Sequence, residues 1–376
     1  MHCIARRIQR TAAVTPAVGR AIASLHSSPP WPRGSASSAA LVASLPVPLR
    51  AHPSLHITAN QIQQFDSDGF LLLPGVLSVS QVGSLRDRLL PLFRGDFPTG
   101  VYPDEWHWRE GLSLPHVTRE ICNAWKSDPT IAALATSETM GALAAHLMRW
   151  KAGARLAQEC VWYKPTAAAS VQSSAAVAGS AVGFHVDSEY ISDQFIPRRN
   201  NSLTIWVALD DVSEHTGTLQ YIRGSHKWKK EEDTAASLAV SQIHAPSDLA
   251  HLSPLQSAAS AAGVSASALL SLHHSVTLPA GSLALHHQDL WHGSGPNFSA
   301  TVPRRAIALH LLQADVQFRT HRPVTYIYGR YVRKGSNEVA ADFFPVTYAP
   351  PNSSGLKRTP WLADYCVDLL GGQGSA

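Results

Sequence analysis

No aspartate or glutamate occurs before Asp66, although Arg6, Arg7, Arg10, Arg20, Arg33 and Arg50 all precede it. The formal charge of +4 over 376 residues therefore comes from an N-terminal tail and not from a basic face on a folded body. That argues against nucleic-acid binding, which needs a basic stripe with aromatic platforms on the domain itself. Cysteine is scarce: Cys3, Cys122, Cys160 and Cys366 are scattered, with no C-x-x-C pair. Neither a disulfide framework nor a structural zinc knot is expected, and reduced thiols suit an intracellular compartment. No run of 18 apolar residues occurs, so no transmembrane helix is expected. Charged residues make up only 15% and hydrophobic ones 45%, a balance that permits a sizeable core and excludes wholesale disorder.

Residues 1–55 are rich in Arg, Ser and Ala and free of acids. This is the composition of an organelle-targeting segment, mitochondrial as the first reading and plastid as the alternative. Residues 4–23 could form its basic amphipathic helix; a plain disordered tail is the competing reading. Residues 56–376 are expected to form a single folded domain.

Within it, Thr58 with Gln61 and Ser78 with Gln81 are capping-box pairs that open two helices. Gly69 ends the first helix, and the run Phe70-Leu71-Leu72-Leu73 reads as a strand stopped by Pro74-Gly75. Asp128-Pro129 reads as an N-cap followed by proline at the first helical position, and a further helix spans about 138–148. Beyond Ala157 the pattern turns to short strands at 158–163, 202–209, 218–222, 276–278, 282–286 and 304–312, separated by turn residues. Helices first and many short strands after them predict an α+β chain, with helices packed on an antiparallel barrel or sandwich. Two Ala/Ser-rich stretches, at about 166–181 and 231–275, read as insertions near the mouth of the barrel. The aromatic loop from Tyr102 to Trp108 reads as packing, with stacking on a ligand as the alternative.

Two residues apart on a strand means the same face, so His185-Val186-Asp187 can present an imidazole and a carboxylate to one metal ion. The motif alone carries little weight. With 19 histidines in the chain, chance gives about one His-x-Asp, and a second copy, His287-Gln288-Asp289, is indeed present. His185 and Asp187 are preferred because a further candidate ligand, His292, follows far downstream in Trp291-His292-Gly293-Ser294-Gly295. The second copy is crowded against His292 itself and reads as supporting or surface residues. Two histidines and one carboxylate form the facial triad of non-haem Fe(II) enzymes, leaving three octahedral positions open for a keto acid and O₂. Arg304-Arg305 opens a later strand. Arg304 shares a face with Ala306 and Ala308, whose small side chains leave room for a ligand. Arg304 is therefore expected to point inward and to neutralise a ligand carboxylate with its planar fork; two solvated arginines are the alternative.

These residues, with Phe65-Asp66-Ser67-Asp68-Gly69-Phe70, Leu73-Pro74-Gly75, Lys164-Pro165, Thr204-Ile205-Trp206 and Gly224-Ser225-His226-Lys227, run in an order that resembles the phytanoyl-CoA dioxygenase family of Fe(II)/2-oxoglutarate oxygenases over about residues 57–315. The resemblance implies a double-stranded β-helix, a jelly-roll or cupin-like barrel with helices on one side. It implies that His185, Asp187 and His292 hold iron and that Arg304 pairs with the distal carboxylate of 2-oxoglutarate. Trp206, Ser294 and Arg119 fall near positions where the family contacts its co-substrate. Relatives that halogenate carry a small residue in place of the carboxylate, so Asp187 implies hydroxylation with release of succinate and CO₂. The substrate is then a small organic molecule, lipid-like or acyl compounds included. A non-catalytic metal- or ligand-binding barrel and a metal oxygenase without a keto acid are the competing readings. Oligomeric state is not legible.

Overall fold

The computed structural model describes residues 55, 57–170, 181–228, 253–351, 353 and 355–362. Apart from Leu55, the expected targeting segment lies outside the described residues, as do positions 171–180 and 231–252 of the two insertions.

In chain order the elements are α1 (Ala59–Asp68), β1 (Phe70–Leu73), α2 (Val79–Phe93), β2 (Glu105–Trp106), β3 (Arg119–Cys122), α3 (Pro129–Ala135), α4 (Glu138–Met148), β4 (Ala154–Lys164), β5 (Val182–His185), β6 (Phe195–Ile196), β7 (Ser202–Ala208), β8 (Leu219–Ile222), α5 (Ser253–Ala261), α6 (Ala266–Leu272), β9 (His273–Ser275), β10 (Leu283–His287), β11 (His292–Ser294), β12 (Arg304–Gln313), β13 (Gln317–Phe318) and β14 (Val346–Tyr348). Both capping boxes form with both arms: Thr58 and Ser78 accept from the Gln61 and Gln81 amides, and the glutamine side chains accept in return. Gly69 ends α1 in the left-handed region at φ 83°. A Cβ there would lie 2.4 Å from Nδ1 of His226, so glycine is required by both torsion and space. Asp128 caps α3 through the amides of Thr130 and Ile131, with Pro129 at the first helical position.

The strands form an eight-stranded antiparallel sheet in the order β1-β10-β7-β12-β4-β3-β2, with β14 beside β4, and a four-stranded sheet in the order β5-β11-β8-β9. A further pair, β13-β6, stands apart. Among the described residues no ladder joins the two main sheets. The expected double-stranded β-helix with flanking helices takes the form of two facing sheets, and among the described residues they do not close into a barrel. The 276–278 expectation is also corrected. The strand there is β9, and Leu278 makes only an isolated bridge to Val212.

Strand alternation divides the large sheet into two chemistries. Its outer face carries Leu203, Ile205, Val207, Leu283, Leu285, Ile307, Leu309 and Leu311, which join α1–α4 in one buried core. Its inner face carries Thr204, Trp206, Ala284, His286, Arg304, Ala306, Ala308 and His310, all buried. Large apolar side chains hold the helices; small and polar ones leave space between the sheets. Cys122 and Cys160, far apart in sequence, sit opposite each other on β3 and β4, unlinked, with sulfurs 3.5 Å apart. No single helix among the described residues is long and apolar enough to cross a membrane.

Candidate metal centre

His185 ends β5, and its neighbour in register is His292, which starts β11. Asp187 follows two residues on, in a short 3-10 turn. The pairing of β5 with β11 is what brings distant parts of the chain together. The Nε2 atoms of His185 and His292 lie 3.8 and 3.6 Å from Oδ1 of Asp187. One donor atom from each of the three residues falls within 4.8 Å of the others. Two imidazoles and one carboxylate on one side of a cavity fit an octahedral Fe(II) with open positions.

Each ligand's orientation is fixed by a partner. Nδ1 of His185 is 2.8 Å from the Gly183 carbonyl, and Nδ1 of His292 is 2.9 Å from the Leu290 carbonyl. A carbonyl only accepts, so both Nδ1 atoms carry the proton and both Nε2 atoms keep a lone pair for metal. Burial, aided by His286, pushes His292 down to about 4, which keeps that ring neutral. Asp187 receives Tyr190 Oη–H on Oδ1 at 2.6 Å, Thr204 Oγ1–H on Oδ2 at 2.5 Å and His286 Nε2–H on Oδ2 at 3.2 Å. Burial works against its charge, yet His292, His286 and His310 outweigh it and hold the carboxyl well below the usual range. Two of its three donors fall on Oδ2, so Oδ1 is the oxygen turned toward the histidines. His286 is in turn 3.0 Å from the Tyr221 hydroxyl.

The three residues line a cavity of ≈ 280 Å³ that also contains Trp206, Ser294 and Arg304. Arg304 is 3% exposed, its Nε has no hydrogen-bond partner among the described residues, and its guanidinium lies 5.6 Å from the Trp206 ring centre. Burial lowers it to about 10, with Asp210 opposing, so it remains a cation. Its neighbour Arg305 points to the other face and forks onto Asp210 at 2.6 and 2.9 Å. A buried, unsatisfied guanidinium facing a cavity is a fit for a ligand carboxylate. Lys164 is saturated instead. Its Nζ donates to Ser294 Oγ at 2.7 Å and to the Gly295 carbonyl at 2.5 Å, pinning the turn that follows His292.

Arg119 is not brought to the cavity. It lies over Trp108 at 3.7 Å and Tyr163 at 4.7 Å on the outer face of β3, while its neighbour Glu120 lines the cavity. The expected co-substrate contact at Arg119 is corrected accordingly, because one residue along a strand reverses the face. His287 and Asp289 are also remote from the triad. Nε2 of His287 meets Asn200 at 3.0 Å and its Nδ1 accepts from the Asp289 amide. Tyr190, Thr204, His286 and His310 escaped the sequence reading, although Thr204 and His310 follow from extending the inward faces of β7 and β12 by two-residue steps. In the aromatic loop Trp108 is buried against Phe93, whereas Glu105 and His107 border the cavity.

No curated protein matches the chain. The solved non-heme alpha ketoglutarate dependent carbocyclase SnoK from nogalamycin biosynthesis is similar in fold, with TM-score 0.54 and 20% identity over 80% of this chain and 99% of that one. So is the epimerase SnoN from the same biosynthesis, with TM-score 0.54 and 22% identity over 78% and 96%. EctD from S. alaskensis with bound Fe gives TM-score 0.51 and 20% identity over 78% and 92%. The model of the phytanoyl-CoA dioxygenase (PhyH) family matches residues 65–306, which span the triad, Arg304 and the inner strands between them. The chain belongs to the phytanoyl-CoA dioxygenase family, within the Fe(II)/2-oxoglutarate-dependent oxygenases.

Proposed function

We propose that this protein hydroxylates a small organic substrate, using Fe(II) held by His185, Asp187 and His292, and converts 2-oxoglutarate and O₂ to succinate and CO₂. The observation that carries the reading is Arg304, a buried cation without a hydrogen-bond partner on Nε, in the same cavity as the triad. An ion in that position costs stability unless a ligand anion completes it, and the distal carboxylate of a keto acid is such an anion.

Bound Fe(II) supplies the oxidative decarboxylation and the transfer of oxygen. The chain's own residues orient and enclose. His185 and His292 offer lone pairs whose direction is set by backbone carbonyls. Asp187 presents Oδ1 because its other oxygen is occupied by Thr204 and His286. Trp206 flanks the guanidinium of Arg304, and Ala306 and Ala308 leave the space between the anion site and the metal ligands. The buried walls exclude water, which strengthens each of these electrostatic contacts. A carboxylate at position 187 fills the coordination position a halide would need, which supports hydroxylation over halogenation. Two of the fold relatives are a carbocyclase and an epimerase, so the outcome at substrate is a separate question from succinate formation.

The test is succinate formation from 2-oxoglutarate with Fe(II), followed by mass spectrometry of the product under ¹⁸O₂. Wild type should form succinate, His185→Ala should not, and the product should carry one labelled oxygen. Turnover that survives both His185→Ala and omission of 2-oxoglutarate would sink the reading. Succinate without oxygen in the product would confine the failure to hydroxylation.

A further inference from the structure

Thr204 has one hydroxyl proton and two close partners, Asp187 Oδ2 at 2.5 Å and His310 Nδ1 at 2.9 Å. The ionised carboxylate cannot donate, so the hydroxyl proton goes to Asp187. The contact with His310 must then run the other way, with Nδ1–H donating to Thr204 Oγ1. A neutral imidazole carries one proton, so Nε2 of His310 is left as a bare acceptor. No hydrogen bond occupies it among the described residues, although His310 is only 8% exposed and lines the cavity. The ring lines the cavity, so a donor on a bound molecule can reach this acceptor there.

His310 lies six residues beyond Arg304 on the same face of β12, about 20 Å along the strand at ~3.3 Å per residue. The cavity carries charge of both signs. Among the described lining residues Arg304 is the one permanent cation, whereas Glu105 and Glu120 are carboxylates. Glu105 is balanced by Arg330 at 3.5 Å; Glu120 lies on the inner face of β3, in register with Trp162 of β4, which stands opposite Ala306 of β12, and its charge reaches His310. If 2-oxoglutarate takes Arg304, as the proposed function requires, no permanent cation is left among the described lining residues to receive a second anion. We infer that the primary substrate brings an N–H or O–H donor, and no anionic group, to the His310 end of the cavity, where Nε2 of His310 receives it. An amine or a polyol meets that requirement; a free carboxylate or phosphate inside the cavity does not. His310 is thus assigned as a specificity-determining residue.

The probes are hexylamine, hexane-1,2-diol and hexanoate, titrated by calorimetry into the full-length protein loaded anaerobically with Fe(II) and 2-oxoglutarate. At least one donor probe should bind about tenfold or more tightly than hexanoate, the scale of one hydrogen bond to an otherwise unpaired buried group. His310→Phe should erase that preference, and His310→Gln, which keeps an acceptor, should restore part of it. Thermal unfolding of both variants separates lost binding from lost folding. Glu120→Gln should weaken hexylamine and leave the diol within about twofold, which distinguishes an amine site from a polyol site. Tighter binding of hexanoate, equal binding of all three or of none, or a donor preference unchanged in a folded His310→Phe would overturn the inference. The same preparation reports succinate formation in air. A protein that makes no succinate yet shows the donor preference contradicts the oxygenase reading and not this one.

Discussion

Asp187 is the residue on which most of the site's contacts converge. Tyr190, Thr204 and His286 all donate to it, and it stands within 4 Å of both candidate histidine ligands. Residues that hold a ligand in place govern metal affinity almost as strongly as the ligand itself, so Thr204→Val and His286→Phe should each weaken Fe(II) binding by about 10–100-fold in proteins that still unfold cooperatively. Equilibrium metal titration measures this, and wild-type affinity in both variants would show that the contacts do not matter. Arg304→Met should have opposite effects on two quantities. It removes a buried cation lacking its full set of partners, so the ligand-free protein should gain ~1 kcal/mol or more. It should also lose ~100-fold in 2-oxoglutarate affinity and the rise in Tm that the ligand gives to wild type. The triad and Arg304 were legible because His-x-Asp, His-Gly and alternating Arg-Arg-Ala report spacing and face directly. The partners of His286 and His310 were not, since a histidine on a strand says nothing about which groups other strands will supply.

At the level of elements, local signals were read well wherever the physics is local. The two capping boxes, the glycine stop at Gly69 and the Asp-Pro start of α3 depend on neighbours within four residues. Gly69→Ala should therefore lower stability by about 1–3 kcal/mol, through the positive φ and the clash with His226, as measured by denaturant unfolding; an unchanged midpoint would contradict that local account. Register sets face on β3 as on β7 and β12: Glu120 turns toward the cavity and its neighbour Arg119 packs on Trp108 and Tyr163. β4 supplies a pH test. Glu159 faces the helical core, accepts from the Trp125 amide at 2.9 Å, and has Oε1 without a partner among the described residues. Burial raises its carboxyl from 4.5 to about 8. A raised folded-state value means the protonated form is favoured in the fold. This contribution to stability is full below pH 4.5 and is lost as pH rises toward 8. Glu159→Gln should accordingly melt higher than wild type above pH 8 and about level with it near pH 4.5. A constant difference in Tm across that range would show that Glu159 does not titrate in the fold.

For the whole molecule, helices on one face of a large antiparallel sheet and a cavity on the other followed from the order of helical and strand signals. Which of the two expected forms, barrel or sandwich, the strands would take did not follow, because closure depends on pairings between strands far apart in sequence. Substrate identity was not legible either. Residues of nine strands and the segments beside them build the cavity, and its character emerges only once they are assembled. The account rests on one claim: the triad and Arg304 together form a site for Fe(II) chelated by 2-oxoglutarate. Anaerobic addition of 2-oxoglutarate to the Fe(II)-loaded protein, followed by visible absorption, tests it most directly. A charge-transfer band that saturates with one iron per chain, and is absent from His185→Ala and Arg304→Met at the same co-substrate concentration, is the expected result. Iron binding with no band at any 2-oxoglutarate concentration, or a band of equal strength in His185→Ala, would contradict the claim.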